Sequence, residues 1–202
     1  MPFETIQGAV LGRDALKGVC SCYKPGENGF IDSVLSAELI KPFLQKAVKL
    51  LPEPHFFFLE IPCTEQEEAQ LRKSDKDPSH YNVYYLDGCT EPVTQAIIKR
   101  YGELLINDGL TRFGFGSNST GEEIYVLDYQ QINVYSEDGR FEKVYKELGV
   151  PEAERVVTPW ENFTPDNVGI SMAVEIEGEQ CSDIPLNLKK EGMYFAETRE
   201  NI

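Results

Sequence analysis

The sequence predicts a single α+β domain over residues 1–202, with a mixed or mainly antiparallel sheet and helices packed on one face. Three observations carry that expectation. The stretch Thr111–Asp138 (TRFGFGS, a polar loop, then GEEIYVLDYQQINVYSED) alternates apolar and polar side chains and is rich in aromatic and β-branched residues, as a pleated surface requires. Apolar stripes at helical spacing precede it. No Pro-, Gly- or Ser-rich linker divides the 202 residues, and the composition, 41% hydrophobic and 11% aromatic, is that of an ordinary globular chain.

In chain order, Ala9–Leu11 reads as a short strand and Lys24–Gly29 as loop. From Ser33 the spacing turns helical, with Leu35, Leu39, Phe43, Ala47 and Leu51 on one stripe. Pro42 kinks or restarts that helix, and Pro52 and Pro54 end it. His55–Ile61 (HFFFLEI) is apolar at almost every position, as in a strand buried on both faces. Thr64 is placed to cap a short helix reaching Lys73, and Tyr81–Leu86 is the next strand. Thr90 is placed to cap a helix with Val93, Ala96, Ile97, Tyr101, Leu104 and Leu105 on its apolar stripe. Asn107-Asp108-Gly109 stops it, Gly109 suiting a left-handed terminus.

Arg112–Gly116 then opens an antiparallel meander, turning through Ser117–Gly121. Ile124 and Val126 face one way, Tyr125, Leu127 and Tyr129 the other. Asp128, Gln130 and Gln131 interrupt the run before Ile132 and Val134 resume it. No helix lies there from which a parallel crossover is built. Phe141, Val144, Tyr145 and Leu148 form a short helix ended by Gly149 and Pro151. Val156–Val157, Met172–Ile176 and Met193–Thr198 read as strands, with a turn or short helix over Asp183–Lys190.

Chemistry-bearing motifs are few. Gly114 and Gly116 lack the third glycine and following helix of a dinucleotide fingerprint, so they are expected to permit close packing opposite Phe113 and Phe115. The formal charge of −15 disfavours nucleic acid and anionic membranes and favours a basic protein partner. No apolar run has membrane-spanning length and the N-terminus has no signal-peptide pattern, so a soluble, cytoplasmic protein is expected. Five widely spaced cysteines do not form a disulfide framework. Cys20-x-Cys22, with only His55 and His80 to add, does not complete a zinc ligand set, and neither metal nor cofactor is expected.

One internal echo, FFLEIPCTEQEEAQLRK and YYLDGCTEPVTQAIIKR, places Cys63 and Cys89 at corresponding strand ends. If those strands are neighbours and parallel, the thiols approach each other, and with His80 they define an alternative pocket for a small molecule or an unrecognised reaction. The leading binding candidates are aromatic and acidic: Glu122, Glu123, Tyr125, Asp128, Tyr129, Trp160 and Glu161. No nucleophile elbow or other catalytic motif occurs, so binding is expected over catalysis.

The runs YGELLINDGLTRFGFGS, GEEIYVLDYQQINVYSED and TPWENF resemble a family of small, acidic, uncharacterised bacterial proteins, similar in character to the immunity proteins that neutralise secreted toxins. The resemblance covers about the C-terminal half and carries no catalytic motif. It implies a bacterial, cytoplasmic origin; together with the acidic charge, the leading expectation is a non-enzymatic interaction protein, an immunity-type inhibitor that binds a basic toxin. The alternatives are the Cys/His pocket and a subunit that assembles into a homo-oligomer through an exposed strand edge.

Overall fold

In the computed structural model, which describes residues 2–74 and 76–201, the alternating stretch forms the middle of an eight-stranded sheet. In chain order the strands are β1 (Ala9–Val10), β2 (Cys22–Pro25), β3 (Ile31–Val34), β4 (His55–Pro62), β5 (His80–Cys89), β6 (Arg112–Ser117), β7 (Glu123–Val126), β8 (Gln131–Tyr135), β9 (Ile170–Ser171) and β10 (Tyr194–Glu200). The α-helices are α1 (Ala37–Ala47), α2 (Glu65–Leu71), α3 (Glu91–Asn107), α4 (Glu142–Glu147) and α5 (Ile184–Asn187). The sheet runs β10-β5-β4-β6-β7-β8-β3-β2, antiparallel at every ladder, while β1 and β9 pair separately. The chain is a single α+β domain.

Side-chain alternation divides the sheet into two unlike faces. Phe57 and Leu59 of β4, Phe113 and Phe115 of β6, Ile124 of β7 and Ile132 of β8 point to one face, where Phe43 and Leu44 of α1 and Ile98 and Leu105 of α3 join them in the main core. Burying each such side chain stabilises the fold by about 1.5–3 kcal/mol, which makes this face the principal source of stability. Val144 and Tyr145 of α4 and Ile184 of α5 enter the same core, so the helices collect on one side.

The turn between β7 and β8 is tight. Tyr129 and Gln130 take positive φ (52° and 66°), a conformation costly for non-glycine residues and tolerated only where surroundings hold it. Gln130 supplies the hold: its Nε2 donates to the carbonyls of Glu4 and Leu35, and its Oε1 accepts from the amide of Ile6. The edge at β2 is covered by Pro151–Ala153, through Tyr23 N to Pro151 O and Ala153 N to Tyr23 O. Along the other edge, β10, the register slips between Phe195 and Glu197, and Glu197, Arg199 and Glu200 add charge. Both features oppose pairing with a second edge.

Several expectations need correction. The helix expected from Ser33 begins at Ala37, because Ile31–Val34 pairs with β8 instead, Ile31 opposite Val134. Pro42 lies inside α1, which runs through it as one helix rather than restarting there. Thr64 makes a full capping box with Glu67, whereas Thr90 precedes α3 without a side-chain cap. Gly109 is not left-handed. A Cβ there would lie 2.0 Å from the carbonyl oxygen of Gly8, so close approach of two backbones demands glycine. Val156–Val157 forms no strand; Val156 instead packs on Val19, Cys22 and Val34 in a second, small core. Met172–Ile176 is likewise not a strand, the pairing falling on Ile170–Ser171.

Candidate functional site

The second sheet face differs from the first because its central side chains are covered by one another. Phe58, Tyr81 and Val83 are buried yet belong to neither apolar core. β4 contributes Phe56, Phe58 and Glu60 to this face; β5 contributes Tyr81, Val83 and Tyr85 in register with them. Glycines of β6 lie under the rings: a Cβ on Gly114 would fall 2.3 Å from Phe58 Cε1, and one on Gly116 2.1 Å from Phe56 Cζ. The expected close packing opposite Phe113 and Phe115 is therefore present, and it lets two aromatic rings lie across the β6 backbone. Phe58 is ringed by Tyr125 edge-on at 5.1 Å, Tyr85 at 5.9 Å and Phe56 at 6.1 Å. Phe56, Tyr85, Tyr125 and Glu123 are half-buried, and Tyr194 and Tyr135 at the margins are exposed.

Charges are set into this aromatic layer. Glu60, 1% exposed, accepts a 2.6 Å hydrogen bond from Tyr125 Oη and a 3.0 Å bond from Arg199 Nη1. Arg112 grips Asp128 with Nε at 3.0 Å and Nη2 at 2.5 Å, and its guanidinium lies 4.6 Å over the Tyr81 ring. Such a bidentate pair stacked on an aromatic ring is held in one geometry. Glu123 is different. Burial first, then the nearby charge of Glu60, push its carboxyl up to about 7, with Arg199 only partly offsetting them.

Of the binding candidates, Glu123 and Tyr125 lie together on this face, Asp128 meets it through its pair with Arg112, and the others do not join them. Glu122 is 2% exposed and serves the fold, ion-paired with Arg140 and accepting from Thr120 Oγ1 and the amide of Glu137. Asp128 is occupied by Arg112. Tyr129 is buried under Trp160, edge-on at 4.9 Å, with Phe163 completing a trio. Trp160 itself is 52% exposed. Glu161 pairs with Arg155 and accepts from the amide of Thr158, closing the turn that carries Trp160.

The alternative pocket does not assemble. β4 and β5 are antiparallel, so Cys63 lies beside His80 at one end of the pair and Cys89 opposite His55 at the other. His80 and Cys89 bound the ten residues of β5, a separation of roughly 30 Å at strand rise. His80 Nδ1 is engaged by Glu68 at 3.0 Å. Burial, then Glu67 and Glu68, push the Cys63 thiol up to about 11, and burial then Asp87 raise that of Cys89. Neither is poised as a thiolate nucleophile. His55 is fully buried, bonded to Thr94 Oγ1 and the Leu51 carbonyl. Among the described residues, no three His, Cys, Asp or Glu side chains are grouped to hold a metal ion, and no helix is long and apolar enough to cross a membrane.

Phe56, Phe58, Glu60, Tyr85 and Arg199 were not among the sequence candidates. Their signal was present in HFFFLEI, where a lone acid interrupts an apolar strand, since a charge held there needs partners from neighbouring strands. Comparison with protein-family models, curated proteins and solved structures finds no match.

Proposed function

We propose that this protein is a non-enzymatic, acidic interaction protein that receives a basic protein partner on its open sheet face, in the manner of an immunity-type inhibitor. The observation that carries this reading is the aromatic layer of Phe56, Phe58, Tyr85 and Tyr125 with Glu123 set into it, on the side of the sheet away from the helices. Aromatic side chains give large contact area for little conformational entropy, which suits an interface centre. The net charge of −15 accelerates encounter with a basic surface and screens out anionic partners.

Affinity capture of the tagged chain from its native host, followed by kinetics on the recovered partner, tests the proposal. A stoichiometric basic protein is expected, associating more slowly as salt rises and binding at least ten-fold more weakly to Tyr125→Ala, as for an interface hot spot. Recovery of no basic partner, or one indifferent to both salt and Tyr125→Ala, would count against it.

A further inference from the structure

Two polar side chains of the open face have no partner among the described residues. Glu123, half-buried on β7, makes no hydrogen bond and no ion pair; Arg199 acts on it only through space. On the neighbouring β8, Asn133 holds its Oδ1 out of solvent with nothing donating to it. The register sets Tyr125 opposite Asn133 and Glu123 opposite Tyr135. Glu123 and Asn133 are therefore diagonal neighbours on one face, roughly 7 Å apart. Tyr125 is fixed by its bond to Glu60, and Tyr135, 45% exposed, leans on Phe30 at 5.1 Å. Gly116, opposite Glu123 across the other ladder, adds no side chain of its own.

A buried acceptor without a donor forfeits its hydration with nothing in return, and a half-buried carboxylate without a counter-ion is likewise unfavourable. One cation with several N–H donors relieves both. We propose that Glu123 and Asn133 form a paired acceptor for an arginine side chain of the basic partner, with the guanidinium lying against the Tyr125 and Tyr135 rings. This deepens the proposed function and rests on it.

Charge complementarity selects a cation, and the geometry selects guanidinium over ammonium. Its five donors lie in a fixed plane that can reach two separated acceptors, it stacks on aromatic rings, and its weaker hydration lowers the cost of entry. The site is also linked to protons, since arginine requires the ionised carboxylate and Glu123 is raised to about 7. The charged and titratable groups facing Glu123 are Glu60 from β4, Tyr85 from β5, Tyr125 beside it, Tyr135 from β8 and Arg199 from β10.

The full chain titrated with hexa-arginine and hexa-lysine peptides at pH 6 and pH 8, at fixed low ionic strength, tests the assignment by calorimetry. Hexa-arginine is expected to bind about ten-fold more tightly at pH 8, the change in ionised fraction around a pKa near 7, and more tightly than hexa-lysine. Glu123→Gln should remove that pH dependence and Asn133→Ala should weaken binding about three-fold or more, each variant first shown to be folded by circular dichroism. Wild-type affinity and pH profile in Glu123→Gln, or equal binding of the two peptides, would overturn the acceptor pair while leaving the acidic-surface reading standing. Absence of binding by either peptide at low salt would overturn both.

Discussion

At Glu123 the folded chain holds a carboxyl group raised from 4.5 to about 7 by burial and by Glu60. Between those values the native state keeps a proton that the unfolded chain releases, so stability falls as pH rises across that window. The contribution is fully present below pH 4.5 and lost by the time pH has risen through about 7. After allowance for solvent screening the effect is about 2 kcal/mol. Glu123→Gln is therefore expected to raise the urea midpoint at pH 8, leave it nearly unchanged at pH 4, and flatten the slope between. A variant less stable than wild type at pH 8 would show that the ionised carboxylate stabilises the fold. Glu60, two ladders away on β4, illustrates the opposite arrangement: it too is buried, but Tyr125 and Arg199 supply its donors.

The strand β6 owes its place to two absent side chains. A Cβ on Gly114 would meet not only the Phe58 ring but the backbone oxygen of Ile124, both at 2.3 Å, and backbone cannot swing aside. Gly114→Ala is expected to lower stability by about 3 kcal/mol, with loss of the near-ultraviolet signal of the aromatic layer, as measured by chemical unfolding and circular dichroism. Elements of this kind were largely readable from sequence, because periods of two and 3.6 residues survive as patterns in β6–β8 and α3, and a continuous apolar run marks β4. Their partners were not. Ser33 and Val34 of β3 read as helix because Leu35 continues α1's stripe backwards from Leu39, and only pairing with β8 claims Ile31–Val34 for the sheet. The site suffered from the same blindness. Glu123 and Tyr125 stood out locally as acid beside aromatic, whereas Phe58 becomes their neighbour only once β6 is known to lie between β4 and β7. Glu122, adjacent to Glu123 in sequence, shares its chemistry but not its surroundings, and Arg140 claims it.

Taken as a whole, the molecule carries 34 acidic against 19 basic residues, and the excess repels itself in the compact state. Salt screens this repulsion, so the melting temperature is expected to rise by several degrees between about 0.02 and 0.5 M sodium chloride, read by differential scanning calorimetry. A fall would mean that the ion pairs, Arg112–Asp128 and Arg199–Glu60 among them, outweigh the repulsion. The strand order has a further consequence, in time. The hairpin of β2 and β3 finds its place in the sheet only against β8, with Ile31 opposite Val134. During synthesis that hairpin leaves the ribosome roughly a hundred residues before its partner, an interval of about 5–20 s at ordinary elongation rates. Through that interval Ile31 and Val34, wholly buried in the finished fold, are an unclaimed sticky edge. Until its middle third has been made, the nascent chain thus carries this edge as a site for aggregation or for a chaperone.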